Sequence, residues 1–278
     1  MTLDLSSRVV LVTGGTLGIG LATGLAYGRC GAHVVLTHRW GSADEDQVRG
    51  EFAATGAREP LICQADASND EDTVALMQQI ATRHDRVDVL VANVAFAKRV
   101  ESLADWKKRD LFRSLEYTAW PMWAYTEEIH RRWGRWPAYV IGLSSDGPDH
   151  YFSNYDFVAC SKAVLETMCR YLQYRLREHG TRVNVVRSRM VRTQSFDATF
   201  GVEFNDFIER MGFADCYTTP EELANVVLAL GSGLLDAMGG QVITADKGFT
   251  FFDNLNGVAE REQPRDGAVP SEPKKQES

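Results

Sequence analysis

The chain has 278 residues, 44% of them hydrophobic, and a formal net charge of -8. It carries enough apolar material for a large core but no apolar run long enough to cross a bilayer, and its acidic balance argues against a nucleic-acid surface, which needs clustered Lys and Arg. The five cysteines, Cys30, Cys63, Cys160, Cys169 and Cys216, form no CxxC pair, and no secretory leader is evident, which reads as a reducing, cytoplasmic compartment; the six histidines lack metal-ligand spacing, so no metal is expected.

The apolar run at 9–12 predicts a buried parallel strand that leads straight into Gly14, Gly18 and Gly20. Glycine at 14 suits a tight turn, at 18 it lets backbone N–H groups approach an anion, and at 20 it lets the next helix lie close to the strand. With a helix following at 21–30, this is the pattern of a dinucleotide site, the pyrophosphate meeting the backbone of Thr16, Leu17 and Ile19 and the helix N-terminus. A purely structural turn is the other reading.

Further strands are predicted at 33–37, 60–64, 87–92, 138–143, 182–186 and 241–245, and helices at 43–55, 73–84, 155–179 and 221–230, the one at 73–84 opened by Asp70 and Asp72. Residues 106–133 read as one long helical stretch carrying Pro121. The segment 194–215, with Phe196, Phe200, Phe204, Phe207 and Phe213, reads either as a movable lid over an apolar chain or as a packed amphipathic helix. From 257 onward Pro, Glu, Lys and Ser dominate, so one dinucleotide-binding domain over 1–256 and a polar, disordered tail over 257–278 are expected. Strands alternating with helices give the fold class: α/β, a Rossmann-type doubly wound parallel sheet in a single domain, with ligands beyond the carboxyl ends of the strands. His38, Arg39, Asp66 and Asn93 fall there. A carboxylate after the second strand would exclude a 2′-phosphate, whereas Arg39 offers that phosphate a planar donor fork, so NADPH is the expected cofactor; an exposed loop arginine is the alternative.

Thr13-Gly14-x-x-x-Gly18-x-Gly20, Asp66, Asn93, Ser145 after the fifth strand and Ser161-Lys162 on the next helix together resemble the short-chain dehydrogenase/reductase family over about residues 5–252. The resemblance implies a nicotinamide cofactor, hydride transfer and a homotetramer packed through two long central helices. It further implies that Asp66 accepts from the adenine amino group with Ala67 beside it, that Val191 and Thr193 meet the nicotinamide carboxamide, and that Lys162 holds the nicotinamide ribose. The family's tyrosine four residues before the lysine is Val158 here, while Tyr155 stands seven before it. That longer spacing is similar to the divergent enoyl-acyl-carrier-protein reductases, and the run 144–163 to their NADPH-dependent form, enoyl reductase III. The family's helix asparagine reads as Tyr117, and its Pro-Gly after the sixth strand as Ser188-Arg189.

Reducing an enoyl thioester delivers hydride to the β-carbon and builds negative charge on the thioester oxygen. The resemblance gives the donor to that oxygen as Tyr155, with Lys162 favouring the anion and Ser145 or Tyr151 adding a second hydrogen bond. A core aromatic, a solvated helix lysine and a turn-capping serine are the structural alternatives. The expected function is an NADPH-dependent reductase of an enoyl thioester, a small molecule or carrier-protein-bound. The alternatives are a ketoreductase or dehydrogenase of a polyketide or other secondary metabolite, and a catalytically silent dinucleotide-binding protein, the last prompted by Val158 and Tyr117.

Overall fold

Side chains alternate across a strand, and here the alternation divides the interior into two cores. The computed structural model describes residues 3–39, 43–251 and Ala259. Its seven strands are β1 (Val9–Val12), β2 (His33–His38), β3 (Leu61–Gln64), β4 (Val89–Ala92), β5 (Tyr139–Ser145), β6 (Arg182–Ser188) and β7 (Val242–Ala245). They form one parallel sheet in the order β3-β2-β1-β4-β5-β6-β7. The order reverses between β1 and β4, which opens a crevice at their carboxyl ends.

Helices cover both faces, as a parallel sheet requires. One face carries α1 (Gly18–Arg29), α2 (Glu45–Ala54) and α9 (Pro220–Gly231). Tyr27, Phe52, Leu223 and Val227 bury against Val10, Val12 and Leu36 there. The other carries α3 (Asp70–Ala81), α4 (Lys108–Thr118), α5 (Trp120–Trp133) and α6 (Asp156–Leu176). On that side Met77, Met122, Tyr125 and Leu165 pack on Val9, Leu11 and Leu90. The remaining helices, α7 (Gln194–Phe200) and α8 (Val202–Arg210), lie over a small core of their own that includes Met190, Ile208, Phe213, Tyr217 and Phe249.

Three elements differ from the sequence expectations. The stretch 106–133 is two helices, because Pro121 in the first turn of α5 has no N–H to continue the ladder from α4. The third helix starts earlier than predicted and is capped by Asn69, whose side chain accepts from the Asp72 N–H at 2.9 Å, while Asp70 and Asp72 sit inside its first turn. The Phe-rich segment holds two helices joined at Gly201. The predicted tail, apart from Ala259, and the predicted domain end at 252–256 lie outside the described residues. All five cysteines are free thiols, and among the described residues no helix is long and apolar enough to cross a membrane.

The Asn69 cap offers a direct check on local stability. Asn69→Ala should cost about 1 kcal/mol, read as a lowered urea midpoint at unchanged slope.

Candidate active site

The turn between β1 and α1 is fixed from three sides. Gly14 and Gly18 take φ of 60° and 52°, the left-handed region that glycine enters without strain. A Cβ on Gly20 would stand 2.2 Å from the Gly14 carbonyl oxygen, so α1 reaches the strand only because residue 20 has no side chain. Thr37 Oγ1 accepts from the Gly14 N–H at 3.2 Å, and the Asn93 side-chain amide donates to the carbonyls of Thr13 and Gly14 at 3.0 Å each. Asn93 thus lines the cavity as a strut that shapes the turn. Leu17 precedes α1 and has no polar atom with which to cap it, so the first N–H groups of the helix remain available to an anion. These features fit a dinucleotide diphosphate.

From this turn a cavity of about 1060 Å³ runs along the strand ends to β5, α6 and α7. Gly14, Thr16, Leu17, Gly18 and Ile19 line one end, with His38, Arg39 and Ala67 beside them; Asn93 lies between, and Val191 and Thr193 line the wall after β6. Thr193 also caps α7 by accepting from the Phe196 N–H. His38 is tied at both ring nitrogens, to the Arg39 carbonyl and to Glu45, each at 3.0 Å, so it braces the loop after β2.

The Asp66 carboxylate, between the cavity-lining Ala65 and Ala67, is held by its neighbours: Ser68 donates twice to Oδ1, the Tyr117 hydroxyl donates to Oδ2 at 2.8 Å, and Arg39 Nε lies 3.2 Å from the same oxygen. Burial pushes the Asp66 carboxyl up, but the Ser68 and Tyr117 hydrogen bonds and the Arg39 charge outweigh it, and its pKa falls below the ordinary value. Asp66 therefore orients Arg39, with the Tyr117 ring under the guanidinium at 5.6 Å. One turn before Tyr117 on α4, Ser114 bonds α6 at the Ser161 hydroxyl and the Phe157 carbonyl.

At the other end three predicted residues come together. Tyr155 closes the turn before α6 and donates its hydroxyl to Ser145 Oγ at 3.1 Å. Lys162, two turns into α6, is buried and donates from Nζ to the Leu143 carbonyl at 2.6 Å. All three line the same cavity, as does Val158. Tyr151 does not join them: it is 84% exposed and outside the lining, because the turn before α6 carries it outward. Ser145 alone stands beside Tyr155 as a second hydroxyl.

Burial raises the Tyr155 phenol to about 12, which keeps it a neutral donor across the working range of pH. Burial lowers the Lys162 ammonium to about 8, with the Glu166 carboxylate opposing the shift. Glu166 follows Lys162 by one helical turn and is 4% exposed; it accepts from Ser144 and is gripped by both Nε and Nη2 of Arg187. Helical spacing from Lys162 could have pointed to Glu166, but nothing local in the sequence points to Arg187. Gly147 was missed as well: a Cβ there would stand 2.8 Å from the Tyr155 ring, so its bare backbone gives the ring its seat.

The Phe face of α7 and α8 forms the apolar wall. Phe200 packs 5.8 Å from Tyr155 between ring centroids and 4.8 Å from Phe196, with Phe204 and Phe207 behind.

The family model for enoyl-(acyl carrier protein) reductase matches residues 14–250. Among curated proteins, the NADH-type enoyl-acyl-carrier-protein reductase of Aquifex aeolicus is 24% identical over 267 residues, covering 93% of this chain and 96% of its own. The 1-cyclohexenylcarbonyl-CoA reductase of Streptomyces collinus is 25% identical over 250 residues, covering 87% of each. Among solved structures, a short-chain type dehydrogenase/reductase from Mycobacterium marinum superposes with a TM-score of 0.80 at 22% identity, over 90% of this chain and 98% of that one, a likeness of fold.

Proposed function

Because this chain belongs to the enoyl-acyl-carrier-protein reductase family, within the short-chain dehydrogenases/reductases, we propose that it is an NADPH-dependent reductase of an enoyl thioester, small or carrier-protein-bound. The observation that carries the reading is the Tyr155 hydroxyl, 3.1 Å from Ser145 Oγ and in one cavity with buried Lys162, beside an apolar wall of phenylalanines. When bound, the nicotinamide supplies the hydride for the β-carbon. Tyr155 donates to the thioester oxygen as charge builds there, and Ser145 adds a second hydrogen bond. Lys162 holds the ribose and its ammonium stabilises the developing enolate, an effect strengthened by its burial. The turn at 14–20 positions the dinucleotide, and the Phe wall excludes water from the reacting bond.

Carbonyl reduction is the second reading, favoured by Ser145, whose hydroxyl joins Tyr155 in presenting two donors to one oxygen. Incubation with NADPH and either crotonyl or acetoacetyl thioester, following nicotinamide absorbance, separates the two: loss with crotonyl alone supports enoyl reduction, and loss with acetoacetyl alone overturns it.

Arg39 supports NADPH over the NADH named for the Aquifex relative. It lines the cavity after β2 at a place where a carboxylate would repel a 2′-phosphate, and Asp66 fixes its orientation. Arg39→Ala should raise KM for NADPH by about 10- to 100-fold, the loss of one charge-assisted contact, and leave KM for NADH nearly unchanged. A wild-type enzyme that prefers NADH would end the NADPH reading. Exposed Phe112, Trp120, Val164, Tyr171 and Tyr174 on α4, α5 and α6 support a homotetramer packed through those helices, and the free thiols support a reducing, cytoplasmic setting.

A further inference from the structure

Two arginines leave β6 close together, and the structure treats them differently. Arg187 has every guanidinium nitrogen engaged, Nε and Nη2 by Glu166 and Nη1 by Asp149. Arg189 is ion-paired through Nε with Asp146 Oδ2 at 3.1 Å, and among the described residues no acceptor takes a hydrogen bond from its Nη1 or Nη2. Both members of the pair are withdrawn from bulk water, the Arg189 side chain 12% exposed and that of Asp146 4%.

Arg189 stands beside the reacting centre. Ser188, which precedes it, is the register partner of Ser145, and Asp146 follows Ser145 directly. Arg189 and Asp146 both line the cavity that holds Tyr155 and Lys162. Its guanidinium lies 4.5 Å from the Phe249 ring and 5.5 Å from that of Phe152, and Phe152 in turn packs edge-on to Tyr155 at 6.1 Å. Phe152 therefore packs against both the phenol ring and the guanidinium.

A guanidinium has five N–H donors in a rigid fork, and a fork left open beside a cavity is available to an acceptor that enters it. A brace would resemble Arg187, with its fork closed by a carboxylate. Arg189 instead keeps its terminal nitrogens for a ligand, and the acceptor that matches two parallel N–H groups is a carboxylate. Asp146 balances the cation from the Nε side.

We propose that Arg189 reads a carboxylate on the substrate's acyl group, so that the enzyme takes thioesters of dicarboxylic acids, the thioester carbonyl at Tyr155 and the distal acid at Arg189. The assignment rests on the enoyl-thioester reading above. The shared neighbour Phe152 keeps the two groups close, which favours short dicarboxylic chains over long fatty ones.

The test is calorimetric binding to the full chain loaded with NADP⁺. The probes are saturated N-acetylcysteamine thioesters of dicarboxylic acids from succinyl to suberyl, each paired with its terminal carboxamide. At one length the carboxylate should bind about 10-fold tighter than its carboxamide, the worth of a charge-assisted pair. Arg189→Gln should erase that ratio and Arg189→Lys keep part of it, with NADPH binding as the check that each variant is folded. Equal affinities at every length in the wild type, or a ratio that survives Arg189→Gln, would overturn the proposal. Turnover of the α,β-unsaturated pair with NADPH reads the enoyl assignment separately: a binding preference without reduction of the double bond leaves Arg189 as the carboxylate site and removes the proposed reaction.

Discussion

Tyr155→Phe should lower kcat for enoyl-thioester reduction by about 10²- to 10³-fold while NADPH binds as before, because the donor to the developing oxyanion is lost together with its hydrogen bond to Ser145. The ring stays useful without its hydroxyl. It rests on Gly147, and it packs on Phe200 and Phe152 with centroids at 5.8 and 6.1 Å. Phenylalanine keeps those contacts, so the fold should be retained and the loss should appear in kcat more than in KM. Steady-state kinetics with nicotinamide fluorescence as the binding control decides it. A loss smaller than about threefold would move the donor role to Ser145.

The second large effect belongs to Lys162 and has a definite pH signature. The ammonium is the form that stabilises an enolate, and burial lowers its pKa to about 8. Activity should therefore fall as pH rises through about 8, along a single-proton limb. Tyr155, raised to about 12, cannot produce that limb. Lys162→Met should lose about 10²-fold or more in kcat and show no such limb, which a pH–rate profile would reveal. Stability should move the other way. An unfolded lysine keeps its proton to about 10.5, so between about 8 and 10.5 the unfolded chain holds more protons than the folded one, and stability should rise with pH across that window in the wild type and not in Lys162→Met. Urea midpoints at three pH values would check the sign.

The features legible in the sequence are those with a local cause. The apolar run of β1 and the glycines after it follow from what a buried strand and a left-handed turn permit, and the structure holds both where they were read. Tyr155 and Lys162 were placed through spacing and resemblance, and they meet in one cavity. Pro121 could have split the long helical stretch, since a missing N–H breaks a ladder wherever it falls. Other features depend on groups far apart in sequence. The partners of Asp66, Tyr117 and Arg39, arrive from α4 and the end of β2. Tyr151 lies only four residues from Tyr155, and the turn between them sends the two rings in different directions. The Glu166–Arg187 grip and the Arg189–Asp146 approach join the ends of β5 and β6 to α6, and no spacing along the chain encodes those meetings.

The helices α7 and α8 over the cavity are anchored on their own cluster of Met190, Ile208, Phe213, Tyr217 and Phe249, apart from the two layers that clamp the sheet. Exchanges among the phenylalanines of α7 and α8 can therefore reshape what enters without loosening the scaffold that grips the dinucleotide. Selection has a region to vary and a region to leave alone, and drift toward a new substrate preference would run through the first.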